Sequence, residues 1–273
     1  MPIKIFAGFA MLSVHAMAAS APLTPPLPPM TPTGPWNVEF ADSMCLLSRP
    51  YGSDRATRLI FKPGVIGDDV EIIVMKATKS ISSSRFGTTV LSISDQPIDA
   101  NMAYSAYNTK ALRLLRIQAG NKMALAKVNG AFSIDAGREG RVSFAVSGIS
   151  RALPVLADCV KQLRAVYKID EAEITAIATW PTGKLVAMFS TNDYPGEALR
   201  NEQSGTVGVL LWVDPDGRIS SCQVVESSAS PVLEATTCSI FQRRARLTPA
   251  MNNAGKPVRA PVFTRVRWML PTS

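Results

Sequence analysis

Histidine is almost absent from this chain. Among 273 residues there is one, His15, in the apolar N-terminal stretch. If that stretch is removed, the remainder has none, which excludes Ser-His-Asp and Cys-His catalysis and histidine-containing zinc sites. Cysteine is scarce too: the 4 residues include no Cys-x-x-Cys, which argues against thioredoxin-like chemistry and a paired-cysteine zinc site. The 29 Lys and Arg against 21 Asp and Glu give a formal charge of +8. These bases are scattered, with no aromatic interleaving, so nucleic acid is not a predicted partner. Phosphate and calcium motifs also fail. Gly205-Thr206-Val207-Gly208 lacks the lysine of a phosphate loop. After Asp214-x-Asp216-Gly217, a calcium loop needs an oxygen ligand and a distant glutamate where Arg218 and Val225 stand. Asp68, Asp69 and Glu71 read as a solvated turn. No cofactor or metal is predicted, and no catalytic residue is nominated.

What is present begins with a secretion signal over residues 1–18. Lys4 gives a weakly positive start, residues 5–14 are mostly apolar, and Ala16-Met17-Ala18 fits the small-x-small cleavage rule. The apolar run falls short of the ~20 residues of a membrane-crossing helix. The predicted location is therefore the periplasm. The alternative is an uncleaved anchor in the inner membrane, the one arrangement that would give the chain a membrane association. Residues 19–35 are proline-dense and read as an extended polyproline II linker, reaching about 45 Å at most.

Residues 36–170 read as one β-rich domain with a closing helix. Short alternating runs over 36–41, 44–50, 57–61, 70–75, 88–93, 112–117, 131–134 and 142–146 are punctuated by Gly, Pro, Asp and Asn. Leu153, Leu156, Val160, Leu163 and Tyr167 then recur at helical spacing over about 150–167, with Pro154 tolerated in the first turn. No family is assigned to this part.

Residues 171–273 form the last unit with its lead-in. Val207, Val209, Leu211 and Val213 share one face of a strand. Asp214-Pro215-Asp216-Gly217 turns the chain into a second strand over 219–225. Ser230 before Pro231 marks a helix start, and Leu233, Thr237, Ile240 and Phe241 should face the sheet. A final strand covers 258–270. The predicted class is α+β, with a C-terminal β-β-α-β module whose sheet is covered on one face by the helix.

Tyr194-Pro195, Gly205, Asp214 to Arg218, Ser227-Ser228, Leu233, Leu247 with Pro249-Ala250, and Gly255 with Pro257 occur in an order that resembles the C-terminal domain of TonB-family energy transducers. Ala229 departs from the glycine usual there. The resemblance implies a non-enzymatic module that docks on an outer-membrane transporter, or another envelope protein, by accepting its peptide as an extra strand. It nominates Tyr194, Pro195, Phe263, Arg265 and Arg267 as partner-binding residues in TonB-type transmembrane transport. An alternative is a soluble periplasmic protein that reuses the module for envelope or peptidoglycan association. A third is an enzyme housed in the N-terminal part. The proline-dense arm is much shorter than that of the transducers.

An exported chain with an even cysteine count predicts disulfides, Cys45 with Cys159 and Cys222 with Cys238, one in each unit. Free buried thiols are the alternative.

Overall fold

The computed structural model describes residues 27–270 except 42, 54–56, 67–68, 80–83, 110 and 121–123. The predicted signal with His15, most of the proline-dense stretch and Asp68 lie outside the described residues.

The protein is α+β, with a curled antiparallel sheet followed by a smaller β/α module. The strands of the curled sheet are β1 (Asn37–Ala41), β2 (Met44–Tyr51), β3 (Thr57–Pro63), β4 (Val70–Ala77), β5 (Arg85–Ile93), β6 (Gln96–Thr109), β7 (Leu112–Gly120), β8 (Gly130–Asp135) and β9 (Arg141–Val146). Their order is β1-β2-β3-β4-β7-β6-β5-β8-β9. Alternation turns every second residue inward, so Leu47, Leu59, Phe61, Ile72, Ile117, Phe132 and Phe144 form one closed-packed interior. Eight of these strands coincide with predicted runs, and β6 does not.

The two ends of the sheet meet through the chain just before β1. Met30 N donates to Ser143 O at 2.8 Å, and Ala145 N donates to Met30 O at 3.0 Å. Thr33 N then donates to Pro50 O at 3.0 Å. Residues 30–33 thus bridge β9 to the end of β2 and complete a barrel. Helix α1 (Leu153–Val166) closes it, burying Leu156, Cys159 and Leu163. A disulfide between Cys45 and Cys159 fastens α1 to β2.

Two short elements, α2 (Glu171–Thr175) and β10 (Ile177–Thr179), lead to α3 (Gly196–Arg200). The module proper holds β11 (Gly205–Val213), β12 (Ile219–Ser227), α4 (Pro231–Arg244), β13 (Ala250–Asn252), β14 (Pro257–Val258) and β15 (Ala260–Trp268). Its main sheet has the order β12-β11-β15, all antiparallel. The turn between β11 and β12 closes through Gly217 N donating to Asp214 O at 2.8 Å, with Gly217 at φ +80°. Helix α4 buries Leu233, Thr237, Ile240 and Phe241 against Val207, Val209, Leu211 and Val213. The second disulfide, Cys222 to Cys238, joins β12 to α4. Ser230 stands at the helix start, but its hydroxyl makes no capping bond.

Candidate functional site: the module edge and the seam with the barrel

The module sheet is covered on both faces. This differs from the single covered face read from the sequence. Leu210 and Trp212, on the side away from α4, are buried in the same apolar cluster as the barrel interior. Phe263 and Val225 pack against that cluster as well. The continuous apolar run from Val207 to Val213, broken only by Gly208, is the sequence signature of a strand buried on both sides.

A chain of ions crosses this seam. Arg116 holds Glu71 in a two-pronged grip, with Nε and Nη2 donating to the two carboxylate oxygens at 2.6 and 2.7 Å. Gln118 Nε2 adds a third bond to Glu71 at 2.9 Å. From the module, Arg265 Nη2 approaches Glu71 at 3.4 Å while its Nε donates to Glu226. Lys62 Nζ, from the barrel, lies 2.5 Å from the other oxygen of Glu226. Three cations therefore share two carboxylates, alternating in sign across the two parts of the chain.

Glu226 reaches Arg265 across the width of the sheet, because β12 and β15 flank β11. Its side chain passes over Gly208, which pairs with both Glu226 and Arg265. A Cβ at position 208 would stand 3.0 Å from Glu226 Oε1 and closer still to its Cγ. The missing side chain is what lets this ion pair form.

Burial opposes ionisation of Glu226, but the bond from Arg265 and the charges of Lys62 and Arg265 overcome it, and its carboxyl is pulled down to about 2. Burial also works against ionised Glu71, yet Arg116 above all, with Arg265 and Lys62, holds it below the usual carboxylate range. Burial pulls the Lys62 ammonium below its ordinary value, against the attraction of Glu226. A cavity of about 280 Å³ opens beside this network, with Met44, Val65, Ile66, Val225 and Phe263 on its apolar side. The two carboxylates there are driven away from the neutral range in which a general acid or base works.

The nominated partner-binding residues fall into two groups. Phe263, Arg265 and Arg267 share the face of β15 that looks toward the barrel. Arg265 lies over the Phe263 ring at 4.6 Å, and Arg267 lies over the ring of Phe86 on β5 at 4.8 Å. Tyr194 and Pro195 sit elsewhere, ahead of α3. The Tyr194 hydroxyl donates to Gln203 O at 2.5 Å and its ring meets Trp268 edge-on at 5.3 Å. Trp268 in turn donates to Thr237 on α4 at 2.9 Å. Tyr194 thus extends the module core. The backbone of β15 is different: β15 pairs with β11 alone among the described residues.

The family model for the Gram-negative bacterial TonB protein C-terminal matches residues 190–270. This part of the chain is a TonB-type C-terminal domain. The match takes in α3 through β15 and leaves the barrel unassigned. No curated protein matches the chain significantly. The TonB-type domain family is non-enzymatic, is associated with the cell envelope and interacts with envelope proteins. Among the described residues, no helix is long and apolar enough to cross a membrane.

Lys62, Glu71, Arg116, Gln118 and Glu226 were not singled out as a group by the sequence. Glu71 is the clearest difference: the carboxylates around position 70 read as a solvated turn, whereas Glu71 is 6% exposed and fully engaged. The unbroken apolar run Ile72-Ile73-Val74-Met75 could have flagged it. Such a run marks a strand buried on both sides, so a carboxylate at its start had to be buried and paired.

Proposed function

We propose that this protein is a non-enzymatic, periplasmic protein-binding component of a Gram-negative envelope, connected with TonB-type transport. Its TonB-type domain takes up an extended segment of an outer-membrane transporter, or another envelope protein, as a strand beside β15. The observation that carries this reading is the open edge of β15 within a domain that matches the TonB family. Main-chain hydrogen bonds along that edge supply affinity. Side chains of Phe263, Arg265 and Arg267 act by holding β15 in place against the barrel, while the backbone does the docking.

A second reading is favoured by the seam. Buried ions pin the module to the barrel in one orientation, and the proline-dense arm ahead of the barrel is short. On this reading the protein stays soluble in the periplasm and uses the module for envelope or peptidoglycan association.

The test uses the mature full-length chain and synthetic peptides from the periplasmic N-termini of outer-membrane transporters. Neighbouring N–H groups along a strand point to opposite sides, so Val266→Pro and Arg267→Pro remove one donor facing β11 and one facing the open edge. The edge-facing substitution should abolish peptide binding with an unchanged circular dichroism spectrum, and the other should lower thermal stability. Equal binding by the wild type and both folded variants, or no binding to any transporter peptide, would refute strand addition at β15. Retention on purified peptidoglycan in the absence of peptide binding would support the second reading.

A further inference from the structure

A second open edge lies on the barrel, and its surroundings differ in chemistry from β15. Strand β1 ends the sheet order, so one side of its backbone has no strand partner among the described residues. Beside it runs an open groove of about 790 Å³, between the start of β1 and the first turn of α1. Trp36, Val38, Ala152 and Val155 give it an apolar floor, and Val155 is 46% exposed there. Arg49 and Arg151 stand at it, and no acidic residue lines it.

The arginines are concentrated at one end. Arg49 is fixed by bonds to Gly34 O at 2.8 Å and Ser147 O at 2.9 Å, with its guanidinium 5.4 Å from the Trp36 ring. Trp36 Nε1 donates to the same Ser147 oxygen at 2.9 Å, which closes the groove at the end where β1 begins. Arg151 is exposed, just before α1, and no partner for it is present among the described residues. The groove therefore combines a free strand edge, an apolar floor and a cationic closed end.

We propose that this groove captures the free C-terminal end of an extended polypeptide. The segment lies antiparallel to β1 and stops at the closed end. Its terminal carboxylate meets Arg151 and Arg49, and its last apolar side chains rest on Val38 and Val155. Charge selects the occupant: two arginines with no lining carboxylate favour an anion at the end of the segment. The closed end selects a terminus over an internal loop. This site is separate from the β15 edge and does not depend on it.

The probe is the hexapeptide Thr-Val-Thr-Val-Thr-Val with a free carboxylate, compared with its C-terminal amide, titrated into the intact mature protein. The acid should bind at least about tenfold more tightly than the amide, and Arg151→Glu should remove that preference. Arg151 is exposed, so the variant should keep the wild-type melting temperature. Backbone amide shifts should concentrate at residues 36–38 and 147–155. Equal affinity for acid and amide, no effect of Arg151→Glu, shifts centred on β15, or no measurable binding would each overturn the proposal.

Discussion

The two faces of the sheet formed by β12, β11 and β15 solve the same problem by different means. Toward α4, the strands present Val207, Val209, Leu211 and Val213, and the helix answers with Leu233, Ile240 and Phe241. That face is apolar, and the buried Thr237 hydroxyl donates to Leu233 O at 2.7 Å and accepts from Trp268. Toward the barrel, Leu210, Trp212 and Phe263 are interleaved with Glu226 and Arg265. An apolar face tolerates small shifts, because dispersion and burial are non-directional. An ionic seam fixes one geometry, because each unpaired charge is costly in a low-dielectric interior. The helix face holds the module together, and the barrel face determines how the module is held.

The comparison is broken most directly on the helix side. Phe241→Ala should cost about 3–5 kcal/mol, through lost burial and the cavity left behind. Denaturant melts should show it as a large fall in midpoint, and the ion pairs of the seam should not compensate.

Glu226→Ala should come next, at roughly 3 kcal/mol, because it leaves Lys62 buried without its paired carboxylate and Arg265 with Glu71 alone, at 3.4 Å. The sharper experiment replaces Lys62, Glu226 and Arg265 together by Met, Leu and Met. That triple variant should be nearly as stable as the wild type, since well-packed apolar groups often match a buried ion cluster. A loss equal to that of Glu226→Ala would mean that the ions stabilise the seam outright.

Gly208→Ala tests the same contact without removing a charge. The added methyl displaces Glu226 from its path to Arg265, so a destabilisation of about 1–3 kcal/mol is expected from overpacking. Combined with Glu226→Ala, the two effects should fall short of their sum, because the single change has already removed the clash.

Acid should separate the two faces. Glu226 and Glu71 both have carboxyls depressed in the folded protein. Their contribution is fully present above the unfolded value near pH 4.5 and is lost as pH falls toward the folded value of about 2 for Glu226. Between those limits the seam should weaken while the helix face, which has no titrating carboxyl in its core, persists. Tryptophan fluorescence should follow this, with Trp212 at the seam responding before Trp268 at the helix. The smallest effect is expected from Arg267→Ala. Its contact with the exposed Phe86 ring is worth about 0.5–1 kcal/mol.

The helix face was readable from the sequence because its evidence is local. The period-2 valines of β11, the Asp-Pro-Asp-Gly turn and the spacing of Leu233, Thr237, Ile240 and Phe241 each lie within one short segment. The seam was not readable, since its partners are far apart in the chain: Arg265 and Glu71 are separated by 194 residues. No periodicity links them, and the resemblance nominates Arg265 for a partner rather than for an ion pair with the barrel. Strand β6 was missed for another reason. Pro97, Asp99 and Asn101 are poor strand formers, and it is pairing with β5 that holds this part of β6 extended, β7 joining only from Tyr104. The edge of β15 was legible only through the resemblance, because an edge is a property of the whole sheet.

The bridge made by residues 30–33 has a bearing on the order in which the protein can assemble. The segment leaves the ribosome before any strand of the barrel, yet the residues that receive it on one side lie in β9, and those on the other at the end of β2. The neighbouring bond from Trp36 to Ser147 spans 111 residues. Nothing it needs on that side exists until almost the whole barrel has been made. Loop closure over such a span costs only slowly more with length, but long-range pairing is slow to find. Residues 30–33, synthesised ahead of every barrel strand, are therefore among the last to settle, and until they do, β9 and the end of β2 carry backbone edges open to other chains.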